Sequence, residues 1–175
     1  MNSELGRFCI LWTVRLSVLL YALAVWRWLF ATKLTDGQDD IRFRTLWTGS
    51  WLFCVIHVVA AFHFEHHWSH AAALRHTADM TERVVGIHWG GGLYINFAYL
   101  TWWGIEVVLF RWRQAFRSSV AMQATAAFMM FNATAVFGPS WWWIPVGLFV
   151  VFVGIRVLRK GRSSTDSPEF TANNG

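Results

Sequence analysis

Apolar stretches separated by short polar segments make up most of the chain, and they cover about residues 8–30, 45–66, 93–110, 119–137 and 141–158. An α-helix rises about 1.5 Å per residue, so a run of roughly 20 apolar residues crosses a hydrocarbon core of about 30 Å. The pattern therefore predicts an all-α integral membrane helical bundle, residues 1–160, with about five transmembrane helices. The polar tail, residues 161–175, is predicted to be disordered.

The first run has an alternative interpretation as a cleaved signal peptide, because Ala22-Leu23-Ala24 has the small-x-small form of a cleavage site. Against this, Arg15 interrupts the apolar region, the start is weakly charged, and bulky residues follow the would-be cut. These features favour a retained transmembrane helix.

The segments between the runs predict loops and one helical extension. Residues 31–44 are polar and contain the turn signal Asp36-Gly37, so they predict a loop. After the second run no glycine or proline occurs before Gly86, and the helix is predicted to continue past the membrane to about Val84. Gly138-Pro139-Ser140 predicts a tight turn between the last two runs.

Composition agrees with a membrane protein and excludes an ordinary soluble domain. The 175 residues are 55% hydrophobic and only 14% charged, and the 13 tryptophans suit the boundary between membrane and water. Cys9 and Cys54 are far apart and form no CxxC pair, so neither a disulfide framework nor a thiolate metal site is expected.

The net charge of +5 is distributed between the apolar runs rather than along one soluble face, which argues against a nucleic-acid partner. The positive-inside rule then predicts an outside N-terminus, an inside C-terminus and an outside histidine segment. The bilayer is the expected partner, and other membrane subunits or a second copy remain open. The positive clusters that decide this orientation are Lys33, Arg42 and Arg44, then Arg111, Arg113 and Arg117, then Arg156, Arg159, Lys160 and Arg162.

Two charges fall inside apolar runs, Arg15 in the first and Glu106 in the third. Each is expected to lie near enough to a boundary to reach the interface or to pair, rather than to conduct ions.

All seven histidines lie between His57 and His88. On one continuous helix, at about 100° per residue, four of them share an arc of about 100° and could chelate one ion, with a fifth further along. Imidazole suits copper and zinc, so the pattern predicts a transition-metal site at the outer face. Its candidate ligands are His63, His66, His67, His70 and His76.

Neighbouring residues qualify this site. Glu65 would face away from the histidine arc and is expected to be a poor companion ligand. Met80 follows His76 by four positions and would add a soft ligand if the metal were copper, although a lone methionine usually packs. The competing interpretation is that the histidines are interfacial residues, like the nearby tryptophans, with no bound ion.

His57 lies off this arc and, by its place in the second run, near the bilayer centre. It is predicted either to ligate a haem or to hydrogen-bond another span, for which Asn132 is a candidate. A second axial ligand for haem would have to come from the 76–88 segment or from a second copy, because the other runs contain no histidine.

The residues FHFEHHWSHAAALRHT, followed by WGGGLYINFAY, resemble a group of uncharacterised bacterial multi-spanning membrane proteins. The resemblance covers roughly residues 10–137. It implies a bacterial inner-membrane location and brings no assigned activity, cofactor or catalytic residue.

The sequence thus leaves three function classes open. The first is a metal- or haem-binding membrane protein in redox chemistry or metal handling. The second is a non-catalytic membrane subunit or scaffold whose histidines contact lipid or a partner. The third is a metal-dependent enzyme acting on a lipid or a quinone-like substrate at the outer leaflet.

Overall fold

A computed structural model describes residues 2–30, 38–112, 119–132, 144, 146–152 and 154–155. These residues form helices joined by turns, with no strand among them. The helices are α1 (Asn2–Phe30), α2 (Gln38–Phe64), α3 (His70–Val85), α4 (Gly92–Trp112) and α5 (Val120–Phe131), and residues 146–152 are also helical.

Three helices are long and apolar enough to cross a membrane, over Glu4–Trp28, Ile41–Phe64 and Gly92–Phe110. The membrane character and the all-helical fold predicted from the apolar runs are therefore confirmed for these three. α5 is a shorter apolar helix, and the predicted turn at 138–140 and the predicted disordered tail lie outside the described residues.

α1 and α2 form an antiparallel hairpin held by small residues. Ser17 Oγ donates to the carbonyl of Ser50 at 2.9 Å, and Ser50 Oγ donates back to the carbonyl of Ser17 at 2.7 Å. Both serines are almost fully buried, where a hydroxyl without a partner would be costly. Small side chains let two helices approach closely in a membrane, so this pair fixes the register of α1 against α2.

α4 packs antiparallel to α2 through aromatic side chains. The indole of Trp51 lies against Gly104, where an added Cβ would come within 3.0 Å of the ring, and its Nε1 donates to the carbonyl of Leu100 at 3.0 Å. One turn away the rings of Trp47 and Trp103, both fully buried, have centres 4.9 Å apart. These contacts place the start of α4 beside the end of α2.

The opposite end of the bundle contains buried charge. Glu106 is only 3% exposed, and its Oε1 accepts the backbone N–H of Ser119, the N-cap of α5, at 3.4 Å. Arg44 Nη1 donates to the carbonyl of Phe110 at 2.8 Å. Arg44 lies in helix α2, which begins at Gln38. The loop predicted for residues 31–44 is therefore wrong over residues 38–44. In this part of α2, the ring of Phe43 packs edge-on against that of Phe110 in α4, with ring centres 6.0 Å apart.

Gly6 and Gly147 offer a test of the hairpin contact. An added Cβ at Gly6 would lie 2.8 Å from Phe64 Cβ, whereas at Gly147 it would meet nothing within 4 Å. Both changes to alanine bring the same gain in helix propensity, about 1 kcal/mol. We expect Gly6→Ala to lower the thermal unfolding temperature in detergent and Gly147→Ala to leave it unchanged or raise it. Equal shifts for the two variants would contradict the close approach of α1 and α2.

Candidate metal centre

α2 ends at Phe64, inside the histidine segment, and α3 begins only at His70. The backbone N–H groups of Glu65 and His66 bond to the carbonyl of Ala61, and that of Trp68 bonds to the carbonyl of Phe62. These bonds satisfy carbonyls that the end of a helix leaves without partners. The prediction of one continuous helix from the second apolar run to about Val84 is wrong.

The intervening 65–69 turn is strained at two positions. His67 has φ of 47° and Trp68 has φ of 60°, both in the left-handed region. Histidine tolerates this region better than most residues, but a bulky side chain such as tryptophan rarely adopts it. The turn persists because Ser69 follows as the N-cap of α3, its Oγ accepting the backbone N–H of Ala72 at 3.2 Å. That serine is the sequence signal for the break, and it outweighs the absence of glycine and proline.

The turn separates three of the five predicted metal ligands. Trp68 Nε1 donates to His63 Nδ1 at 3.2 Å, which makes that nitrogen an acceptor. The ring of His70 packs on that of Tyr94, with ring centres 5.6 Å apart. His67 is exposed in the turn itself. The predicted arc of four imidazoles on one helix face is therefore absent, because the residues after Phe64 leave the helix.

The same turn brings two other histidines together. α3 packs against α4, and the ring centres of His66 and His76 lie 5.3 Å apart with a 58° angle between the ring planes. His66 is half-buried and His76 is exposed. This contact joins residues ten positions apart, and periodicity on one helix does not predict it.

A cavity of about 350 Å³ lies beneath this pair. α1, α2, α3 and α4 all contribute to its walls, and its ionisable and amide side chains come from His57, Glu65, His66, His76 and Asn96. The other lining residues are apolar, namely Ile10, Val58, Ala61, Phe62, Leu93 and Phe97. Three of the predicted site histidines thus share one cavity.

His57 is the polar cavity residue that comes from the membrane-spanning part of α2. Its Nδ1 lies 2.9 Å from the carbonyl of Ile10 on α1 and donates to it, because a carbonyl only accepts. The neutral ring then has Nε2 as its remaining acceptor. His57 precedes the end of α2 by seven residues, about 10 Å along the axis, and follows the midpoint of the apolar span Ile41–Phe64 by only about 7 Å, so it lies nearer the middle of that span than its end.

The candidate partner for His57, Asn132, is engaged elsewhere. Asn132 Nδ2 donates to the carbonyl of Phe128 in its own helix at 2.7 Å. The expected hydrogen bond between His57 and that residue is therefore wrong. The interhelical bond that does form goes to a backbone carbonyl, and sequence patterns carry no signal for such a partner.

Two cavity residues were missed or set aside on sequence grounds. Glu65 was expected to face away from the histidines, yet it lines their cavity because the helix has already ended there. Asn96, from the second turn of α4, carried no motif at all. Its position becomes apparent only when α4 packs beside α2.

The surroundings of His66 favour the neutral form of its imidazole. Partial burial lowers the pKa of His66 below its usual value of 6.5, and the neighbouring His76 lowers it further, while Glu65 raises it. A neutral imidazole is the form that binds a metal ion.

A separate exposed cluster forms where α3 ends. Gly86 caps α3 with φ of 75°, and His88 turns back so that its Nδ1 lies 2.8 Å from Glu82 Oε2 and 3.7 Å from Asp79 Oδ1. Within the described part of the chain this is the only trio of histidine, cysteine or acidic residues whose ligating atoms come within 4.8 Å of one another. None of the five predicted ligands belongs to it.

Met80, which would add a soft ligand only if the metal were copper, has a contact within α3. Arg83 Nη1 lies 3.8 Å from its sulfur.

Comparison of the chain with protein-family models, with curated proteins and with solved structures finds no match in any of the three. The geometry of the cavity therefore carries the functional argument.

Exchange of His67 tests the strained turn. Glycine adopts positive φ without steric cost, whereas a β-branched residue does not. We expect His67→Gly to stabilise the protein by about 1 kcal/mol and His67→Val to destabilise it by a similar amount. Thermal unfolding in detergent measures both. A less stable glycine variant would mean that the imidazole itself holds the turn.

Proposed function

We propose that this chain is a multi-pass bacterial inner-membrane protein that binds a transition-metal ion at its outer face, between His66 and His76, as part of metal handling or redox chemistry. The observation that carries the proposal is the 5.3 Å separation of these two rings at a cavity that also contains His57 and Glu65. Copper and zinc are the ions best suited to imidazole ligands.

The ring separation fits two ligands of one small ion. Imidazole nitrogens bind such ions at about 2.0–2.1 Å, and a tetrahedral angle between two of them puts the ring centres roughly 5.2 Å apart. His66 and His76 meet this distance while lying on different elements. Binding an ion between them would therefore tie α3 to the end of α2.

The site is open, which favours an exchangeable ion over a structural one. Structural zinc sites are closed by four protein ligands, whereas sites that react or exchange keep free positions. The mouth of the cavity supplies two imidazoles, and the carboxylate that lines the same cavity belongs to Glu65. Remaining positions would be filled by water or by a substrate.

His57 supplies a second step deeper in the protein. Histidines that bind metals usually donate their other ring N–H to a carboxylate or a backbone carbonyl, which fixes the ring and its tautomer. The bond from His57 Nδ1 to the Ile10 carbonyl does this and leaves Nε2 available. We infer that His57 accepts an ion or a proton that has passed the mouth of the cavity.

Haem fits this arrangement less well. Axial imidazoles on opposite faces of one iron have ring centres roughly 6 Å apart, with the macrocycle between them. His66 and His76 are closer than that. The remaining cavity histidine, His57, lies about 10 Å along α2 from the end of that helix, and its Nδ1 bonds to the Ile10 carbonyl.

The orientation that puts the cavity outside also belongs to the proposal. Five spans with an outside N-terminus and an inside C-terminus place every positive cluster on the cytoplasmic side. We expect a green fluorescent protein fused to the C-terminus to fluoresce in bacteria and alkaline phosphatase fused at the same point to be inactive. An active phosphatase fusion would reverse the orientation.

Metal binding is tested on the purified protein after chelator treatment. We expect one Cu²⁺ or Zn²⁺ per chain by calorimetry, and a weaker affinity by roughly tenfold or more for His66→Ala and for His76→Ala. His63→Ala and His70→Ala are matched controls, because their rings contact Trp68 and Tyr94 instead of the cavity. They should bind as the parent protein does.

Three other outcomes would contradict the proposed metal site. Equal losses in all four variants would mean that the histidines bind ions without a defined site. A Soret band in the purified protein would replace the ion with haem. No metal at all, with a stoichiometric membrane complex that survives His66→Ala and His76→Ala, would favour a scaffold subunit or a dimer interface.

A further inference from the structure

The histidine cavity has hydrogen-bonding side chains at two levels along α2. The inner level is His57, which precedes the end of the helix by seven residues, about 10 Å along the axis. The outer level is formed by Glu65 and His66, which follow that end, together with His76 from α3. A ligand that fills the cavity therefore lies between two sets of polar groups.

The rest of the cavity is built mainly of hydrocarbon. Val58, Ala61 and Phe62 line it from the part of α2 that separates the two levels. The ring of Phe97 in α4 lies beside that of Phe62, with ring centres 6.0 Å apart. The volume of about 350 Å³ is in the range of sites for small organic ligands, which are mostly apolar with a few polar groups. These walls suit a flat hydrocarbon ring.

The inner level selects for a ligand that donates a hydrogen bond. His57 Nδ1 carries the proton that it donates to the Ile10 carbonyl, so Nε2 of the neutral ring is an acceptor. A hydroxyl group donates to such an atom, whereas a carbonyl or an ether oxygen does not. The ligand is therefore expected to carry a hydroxyl at its inner end.

We propose that this cavity binds a lipid-soluble hydroquinone, a flat ring with a hydroxyl at each of two opposite ends. One hydroxyl donates to His57 Nε2, and the other bonds to His66 or Glu65 at the outer level. The two oxygens of such a ring lie roughly 5.5 Å apart, and a hydrogen bond of about 2.8 Å at each end extends its reach to roughly 11 Å. This reach matches the separation of about 10 Å between the two levels along α2.

The ligand has a route to the bilayer along α4. Asn96 lines the cavity and is exposed, although it lies within the span Gly92–Phe110. The side of the cavity next to Asn96 is therefore open toward lipid. Substituents on the hydroquinone ring leave the cavity there.

This inference deepens the proposed function by naming an organic ligand for the same cavity. With an ion between His66 and His76, the outer hydroxyl lies at the level of that ion, and this contact alone rests on the proposed function. The bond to His57 needs no ion. Hydroquinone binding by the metal-free protein and metal binding can therefore fail separately.

A second cavity, of about 360 Å³, provides an internal comparison. Its walls come from α1, α5 and residues 146–150, nearly all of its lining is apolar, and its charged side chain is Arg15. Among the described residues that line it there is no histidine. Hydrophobic partitioning alone would fill both cavities, whereas selection for a hydroxyl is expected only beside His57.

The test is anaerobic calorimetry of the purified full chain after chelator treatment, with tetramethylhydroquinone, the corresponding quinone and the corresponding dimethyl ether as probes. We expect one hydroquinone per chain, bound about tenfold or more tighter than the other two, because neither donates to His57 Nε2. His57→Leu should remove this preference. His63→Leu is the matched control and should keep it, because that ring contacts Trp68 instead of the cavity.

A second pair of variants tests the cavity while His57 stays in place. Ala61→Phe fills the histidine cavity and should abolish hydroquinone binding, whereas Ala22→Phe fills the second cavity and should leave it unchanged. Circular dichroism and thermal unfolding confirm that each variant is folded. Equal affinity for the three probes would overturn the proposal, as would equal effects within either pair of variants. No hydroquinone binding by the parent protein would also overturn it, and the metal titration would still decide the ion site.

Discussion

The close approach of α1 and α2 sets the helix register on which the position of His57 depends. In a bilayer, lipid tails are as apolar as the helices, so helix pairing depends on fit and on hydrogen bonds rather than on the exclusion of water. Ser17 and Ser50 provide the fit through their small side chains and the hydrogen bonds through their hydroxyls, because each hydroxyl donates to the backbone carbonyl of the other serine. The register they set brings the Ile10 carbonyl to His57 and thereby fixes the tautomer of the deepest histidine.

The second constraint is a break in the backbone. The 65–69 turn ends α2 and lets α3 pack against α4, with strain at His67 and Trp68. Strained residues of this kind occur where the surroundings hold them in place, and they are common at functional sites. Here the strain has a direct structural result, because only a reversal of the chain can bring His76 to His66. A straight helix would have kept these two rings more than two turns apart.

Two cavities border α1 at different positions along its length, and they differ in the polar groups that line them. Toward α2 and α4, polar groups find partners within the protein or line the histidine cavity. Toward α5, a single guanidinium lies among hydrocarbon side chains, and among the described residues no carboxylate pairs with it.

The apolar runs determined by themselves that the chain is helical and crosses a membrane, because length and hydrophobicity act locally and need no partner. They also located three spans to within a few residues. The candidate site was predictable only in part. The sequence located the segment that contains it and the residues His57, His66 and His76. It also grouped His63, His67 and His70 with them, on a helix that ends at Phe64. Ser69 shows why, since one capping hydroxyl outweighed a run of helix-forming residues. Packing between elements distant in sequence decides which rings meet and brings Glu65 and Asn96 to the same cavity. No local sequence pattern encodes such contacts.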